Sequence, residues 1–186
     1  MNREQFWKII DEALDSSDGW EQIYTPLVDR LSKLDDSDIA LWGQIFDLYQ
    51  KLSYKDILWA AAYVINGGCS DDGFDYFHGW LTAQGKTVFL NALRDPDSLV
   101  DLEAEMGEAE YEDMLLVATR AYFKKHNLEG AYDAYDNICS EYPLAPEEEE
   151  AIKAEIVFAE ETSLDWSNDE NLLKDIVPIL WEFYEE

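Results

Sequence analysis

The side chains best equipped for chemistry fall within one window. From Asn66 to Gly85 the chain reads NGGCSDDGFDYFHGWLTAQG, which brings carboxylates, a histidine, a cysteine and four aromatic residues close together. Asp71, Asp75 and His78 are spaced four and three apart, so a helix sets them along one edge. Carboxylate plus imidazole is a divalent-metal or acid/base set, and Ser70, Asp71, Asp72, Asp75 and His78 form the candidate polar site. The same residues also read as a capped helix. Ser70 supplies an oxygen for amides left free in the first turn, and Asp71 and Asp72 sit where the helix dipole favours negative charge. No second histidine or cysteine stands at ligand spacing, which favours the structural reading, so no metal, cofactor or catalytic residue is assigned. The segment GWLTAQGKT, residues 79–87, ends like a phosphate-binding loop. Five residues separate Gly79 from Gly85 where that loop needs four, and no strand precedes it, so nucleotide binding is not expected. His126 follows Lys124 and Lys125 near a helix end, where positive groups complement the dipole.

The elements that must position these residues are helical. Apolar residues recur at intervals of three and four through the chain and almost nothing alternates at two. The spacing predicts an all-α, single multi-helix domain with about eight to ten helices and little or no sheet. A first helix carries Phe6, Ile9, Ile10 and Leu14. A second runs from Trp20 to Leu34, with Pro26 either kinking it or marking its start. Asp36 or Ser37 caps a third, and Ser53 is placed to cap the next, YKDILWAAAYVI, which is apolar nearly all round and is expected at the centre. Gly67 and Gly68 stop that helix, because glycine accepts the left-handed conformation at a helix end. The stretch from Asp101 to Asp113 reads as a solvated acidic connector. Pro146 starts a helix with acids in its first turn, and a last helix from about Asp169 bends at Pro178.

Composition bounds the function. Of 186 residues, 47% are hydrophobic and 14% aromatic, ample core material for one folded domain. The formal net charge is −29, a self-repulsion that argues for solubility and for attraction to basic surfaces. Residues 1–93 hold 15 acids and 7 bases, net −8; residues 94–186 hold 27 and 6, net −21. Nucleic acids and anionic membranes each need a basic footprint that is missing, so neither is an expected partner. Cys69 and Cys139 have no metal-site spacing and make no disulfide framework. The start of the chain lacks an apolar signal core, and the run from Ile57 to Ile65 is about half a membrane span. A reducing, cytoplasmic setting is the expectation. Trp42, Trp59 and Trp80 read as core, whereas Trp166 lies in the polar stretch SLDWSNDEN and suits a surface anchor in a partner interface.

A resemblance is carried by MNREQFWKIIDEA, by LWAAAYVINGGCSDDGFDYFHGWLTAQGK and by ALRDPDSL. Over about residues 1–130 the chain resembles the bacterial DUF4240 family, a domain of unknown function, which supplies no activity. The resemblance implies arginine as the usual residue where this chain has His78, and so a polar or ionic contact with the neighbouring aspartates in place of metal ligation. It also implies a family-like core over 1–100 and a strongly acidic helical part over 101–186.

The expected function is that of a non-enzymatic acidic binder of a basic protein, such as an immunity protein or inhibitor that neutralises a basic toxin or nucleic-acid-binding protein. Its surface would comprise Glu103, Glu105, Glu108, Glu110, Glu147, Glu148, Glu149, Glu150, Trp166, Asp169 and Glu170. A compact chain of this length is on the order of 40 Å across, a length of duplex that carries roughly 24 phosphates, so DNA mimicry is within reach of its charge. The alternatives are a small metal-dependent or acid/base enzyme centred on Asp71, Asp72, Asp75 and His78, and an acidic accessory or regulatory domain.

Overall fold

The computed structural model describes residues 1–185. Among them are eleven α-helices, four 3-10 turns and no strand. The helices are α1 (Arg3–Asp15), α2 (Tyr24–Leu31), α3 (Asp36–Ser53), α4 (Asp56–Asn66), α5 (Asp71–Ala83), α6 (Lys86–Arg94), α7 (Val117–His126), α8 (Tyr132–Glu141), α9 (Pro146–Glu155), α10 (Leu173–Ile176) and α11 (Pro178–Glu185). None of the described helices is long and apolar enough to cross a membrane.

Local rules account for several of the boundaries. Asn2 opens α1 through a capping box, its side chain accepting from the Gln5 amide while the Gln5 side chain accepts from the Asn2 amide, both at 3.0 Å. The predicted second helix divides into a 3-10 turn at Trp20–Gln22 and α2, whose first turn contains Pro26, where a missing N–H costs nothing. Gly67 takes φ 66° at the end of α4, and the Gly68 amide donates back to the Tyr63 carbonyl at 2.8 Å. Ser53 departs from expectation. It belongs to the last turn of α3, its hydroxyl donates to the Tyr49 carbonyl at 2.7 Å, and α4 begins from Lys55 with no side-chain cap. The hydroxyl is turned back to the carbonyls of its own helix, and the position before α4 is taken by Lys55. The expected bend at Pro178 is a full break, with α10 ending and Pro178 starting α11.

The core is strongly aromatic. Phe6 and Trp7 of α1, Trp42 and Tyr49 of α3 and Phe89 of α6 are all at most 1% exposed, with Trp7 placed 5.0 Å from Tyr49 and 5.2 Å from Phe89 between ring centroids. Phe74, Phe77 and Trp80 bring one face of α5 into the same core. Helix α4 buries Leu58, its alanines, Val64 and Ile65, but leaves Trp59 and Tyr63 half-buried on an outer face.

The chain beyond α7 folds back over this core. Gln44 of α3 clamps the α8–α9 corner, donating to the Tyr142 carbonyl at 2.9 Å and accepting from the Leu144 amide at 3.0 Å. The Ala159 amide reaches the Leu93 carbonyl at 2.7 Å. Asp97, in the 3-10 turn Pro96–Leu102, caps α11 from outside by accepting from the Ile179 and Leu180 amides at 3.2 and 3.0 Å. The chain beyond α7 is therefore strapped to the rest by specific polar contacts and by buried Leu173, Val177 and Leu180.

Candidate functional site

Helix α5 carries the residues singled out by spacing. Ser70 caps it as expected, accepting from the Gly73 amide at 3.1 Å, and Asp71 and Asp72 are exposed in its first turn. Asp75 accepts from the Gln50 side chain at 2.9 Å. His78, two turns from Asp71, has rolled into the core and is 0% exposed. Its ring lies 4.3 Å from that of Phe74 and stacks on Tyr54 at 5.7 Å. Since a carbonyl only accepts, Nδ1 carries the proton and donates to the Phe74 carbonyl at 2.7 Å. Burial lowers the His78 pKa, against the opposing pull of the Ser53 and Phe74 carbonyls and of Asp75, so the ring is held neutral. The polar contact implied for position 78 goes to backbone and not to an aspartate. One helix edge thus runs from solvent at Asp71 to core at His78, and these residues do not face a common cavity. Among the described residues, no group of three or more His, Cys, Asp or Glu side chains is arranged to hold a metal ion.

The acidic connector does something different. Far from being a loose loop, it crosses the ends of α4 and α5 and is pinned along its length. The Asn66 side chain accepts from the Ala109 amide at 3.0 Å and donates to the Ala109 carbonyl at 3.3 Å. The Gly107 amide donates to the Ile65 carbonyl at 3.2 Å, and the Tyr111 amide to the Tyr76 carbonyl at 2.9 Å. The Tyr184 hydroxyl of α11 holds the Ala104 carbonyl at 2.7 Å. Gly79 permits this approach, because a side chain there would collide with the Tyr111 carbonyl.

Pinned in this way, the connector walls a cleft of about 420 Å³ lined by Trp20, Glu21, Trp80, Leu102, Glu103, Ala104, Glu105 and Glu108. Three of the four connector glutamates expected at a binding surface line it. Glu103 adopts φ 47°, a left-handed conformation that a non-glycine residue holds only when its surroundings impose it. The Trp20 and Trp80 rings meet at 6.4 Å with planes 84° apart, and Tyr111 packs on Trp20 at 5.3 Å. Trp20 and Glu21 were not singled out by sequence. Their only signal was position, immediately after the Gly19 break, with Trp20 the first apolar residue of the predicted second helix.

The remaining acidic candidates are scattered. Glu110 turns the other way, toward Gly73 and Cys69, where with burial it pushes the Cys69 thiol up to about 12. Glu148 is drawn inward to Arg3, accepting from its backbone amide at 2.7 Å and pairing with its guanidinium at 3.3 Å. Glu149 and Glu150 flank Lys153, and Glu147 is exposed. Asp169 caps the 3-10 turn Glu170–Leu172, while Glu170 accepts from the Tyr63 hydroxyl at 2.6 Å. Trp166, expected as a surface anchor, is half-buried with its ring 5.5 Å from that of Tyr63. Trp42 and Trp80 are core at 1% exposure, whereas Trp59 is half-buried beside Trp166.

Fold and cleft together define an all-helical acidic protein whose connector carboxylates converge on a tryptophan-lined depression. The chain belongs to DUF4240, a family of proteins of unknown function, whose model matches residues 1–124. No curated protein and no solved structure matches the chain. Every residue lining the cleft falls within the family match, while Tyr184 of the C-terminal extension helps hold the connector that walls it.

Proposed function

We propose that this protein is a non-enzymatic binder of a basic protein, and that the cleft of Glu21, Glu103, Glu105 and Glu108 receives a lysine or arginine side chain of that partner. The observation that carries this reading is the composition of the cleft: its lining residues include four glutamates and two tryptophans and no basic side chain. A cation entering it meets a lining of glutamates and tryptophans, and both side-chain types attract positive charge. The net charge of −29 adds long-range steering toward basic surfaces. An immunity protein or inhibitor acting on a basic toxin or nucleic-acid-binding protein fits this chemistry, with carboxylates standing where phosphates otherwise bind.

The test compares wild type with the triple variant Glu103→Gln/Glu105→Gln/Glu108→Gln, each immobilised and offered native bacterial lysate at low and at physiological salt. Rim charges contribute about 0.2–1 kcal/mol apiece, so the triple variant is expected to weaken retention of a basic partner roughly tenfold. Wild-type retention should fall as salt screens the charges. Retention indifferent to both salt and the three substitutions would overturn the proposal.

A further inference from the structure

At the junction of α1, α3, α6 and α9, away from the acidic cleft, several donors converge on one carboxylate. Glu155, the last residue of α9, places Oε2 3.1 Å from Lys86 Nζ and 3.4 Å from Arg3 Nε. Its Oε1 accepts from the hydroxyl of Tyr49, a residue with no exposure. The indole Nε1 of Trp7, whose ring lies 5.0 Å from that of Tyr49, is buried without a hydrogen-bond partner. Arg3 Nε is likewise buried and not aligned with one. The junction therefore offers more donor capacity than the two oxygens of Glu155 satisfy.

Two further observations separate this cluster from an ordinary ion pair. Arg3, Trp7, Tyr49 and Lys86 all lie within the family-matched residues 1–124, while the acceptor comes from the extension beyond them. Within α9 only Ile152 is buried, and besides Glu155 the helix is tied to the family-matched residues through Glu148 at Arg3. Glu155 is the least exposed of the three charged side chains, at 17% against 29% for Arg3 and 25% for Lys86. Lys86 is also the lysine of the Gly-Lys-Thr triplet: no nucleotide loop surrounds it, and its ammonium lies 3.1 Å from a carboxylate oxygen of Glu4 and 3.1 Å from one of Glu155.

We infer that Arg3, Tyr49, Lys86 and Trp7 form an oxyanion pocket of the family domain, which Glu155 fills in cis as a displaceable occupant. The ligand class is a small carboxylate or phosphate. Phosphate is the better match, since its additional oxygens can reach the donors that Glu155 leaves unsatisfied. Glu4 and Glu148 flank the two cations, so the pocket is close to neutral once Glu155 leaves, and affinity for a free anion is correspondingly modest.

The experiment titrates the full-length Glu155→Ala variant with inorganic phosphate and with acetate, using chloride at matched ionic strength as control, and follows thermal unfolding. Phosphate at roughly tenfold saturation is expected to raise the variant's melting temperature by about 3–6 °C, acetate by less, and the added substitution Lys86→Ala to abolish both effects. Acetate equalling or exceeding phosphate would reassign the ligand to carboxylates while retaining the pocket. Glu155→Gln, which preserves shape, is read in the same way should the alanine variant not fold. In the wild-type protein phosphate competes with α9 and should speed amide exchange over residues 146–155. The inference is overturned if neither variant shows a saturable rise over chloride and exchange in α9 is unchanged.

Discussion

Gly79→Ala tests how the connector is held against α5. A Cβ built on Gly79 falls roughly 1 Å inside contact distance of the Tyr111 carbonyl oxygen and also crowds Leu115 Cδ1 at 3.1 Å and Met114 Cβ at 3.2 Å. The first of these is backbone and cannot rotate away, so the segment from Tyr111 to Leu115 must retreat. Overpacking of this kind costs about 1–3 kcal/mol, and loss of the Tyr111–Tyr76 backbone hydrogen bond adds about 1 kcal/mol. Alanine's better helix propensity returns about 1 kcal/mol. The net destabilisation is about 3 kcal/mol at the upper end, a fall in melting temperature of about 6–12 °C for a chain of this size. Because the same segment walls the cleft, near-ultraviolet dichroism from Trp20 and Trp80 should change even where the variant is fully folded. Gly130→Ala is the control: it also replaces a glycine, at φ 65°, but nothing lies within 4 Å, so only the left-handed strain of about 1–2 kcal/mol applies. A Gly79→Ala protein melting within about 2 °C of wild type would refute the close-approach argument.

Asp97→Ala removes both side-chain bonds to the first amides of α11 and should cost about 1–2 kcal/mol, with hydrogen exchange at Ile179 and Leu180 accelerating more than exchange in α3. Burial first, then the Glu110 charge, hold Cys69 at about 12 against an ordinary 9.0. The folded protein should therefore react at Cys69 with a thiol reagent about 1,000-fold more slowly than unfolded chain at pH 8, since the thiolate is the reacting species. The sign follows from linkage: a raised folded pKa contributes stability that is complete below pH 9 and is lost as pH rises through about 12. Alkaline unfolding, read by tyrosine-independent hydrodynamic size, should accordingly shift upward in Cys69→Ala, where that contribution is absent from both limbs.

Much of the fold could be read from short stretches of sequence. Ser70 followed by two aspartates, the glycine pair after Ile65 and Pro146 before a run of glutamates each specify a helix end through interactions reaching no further than one turn. Ser53 failed for the converse reason. The same hydroxyl can cap the following helix or bond back to the preceding one, and burial against α5 decided for the second. For His78 too, spacing places it on an edge with Asp71 but carries no information on which end of that edge another helix covers.

What the sequence determined by itself was the helical class, the positions of most breaks and the total charge, because periodicity, capping and ionisation are local or additive properties. Tertiary structure alone decided which carboxylates act together. Glu103, Glu105 and Glu108 are chemically the same as Glu110 and Glu148, yet the first three line one cleft, Glu110 turns to Cys69 and Glu148 is taken up by Arg3. The difference lies in the path of the connector across the ends of α4 and α5, fixed by Asn66, Gly79 and Tyr184, and in an arginine 145 residues away from its partner. Contacts at that separation depend on how distant helices pack, which no window of sequence contains.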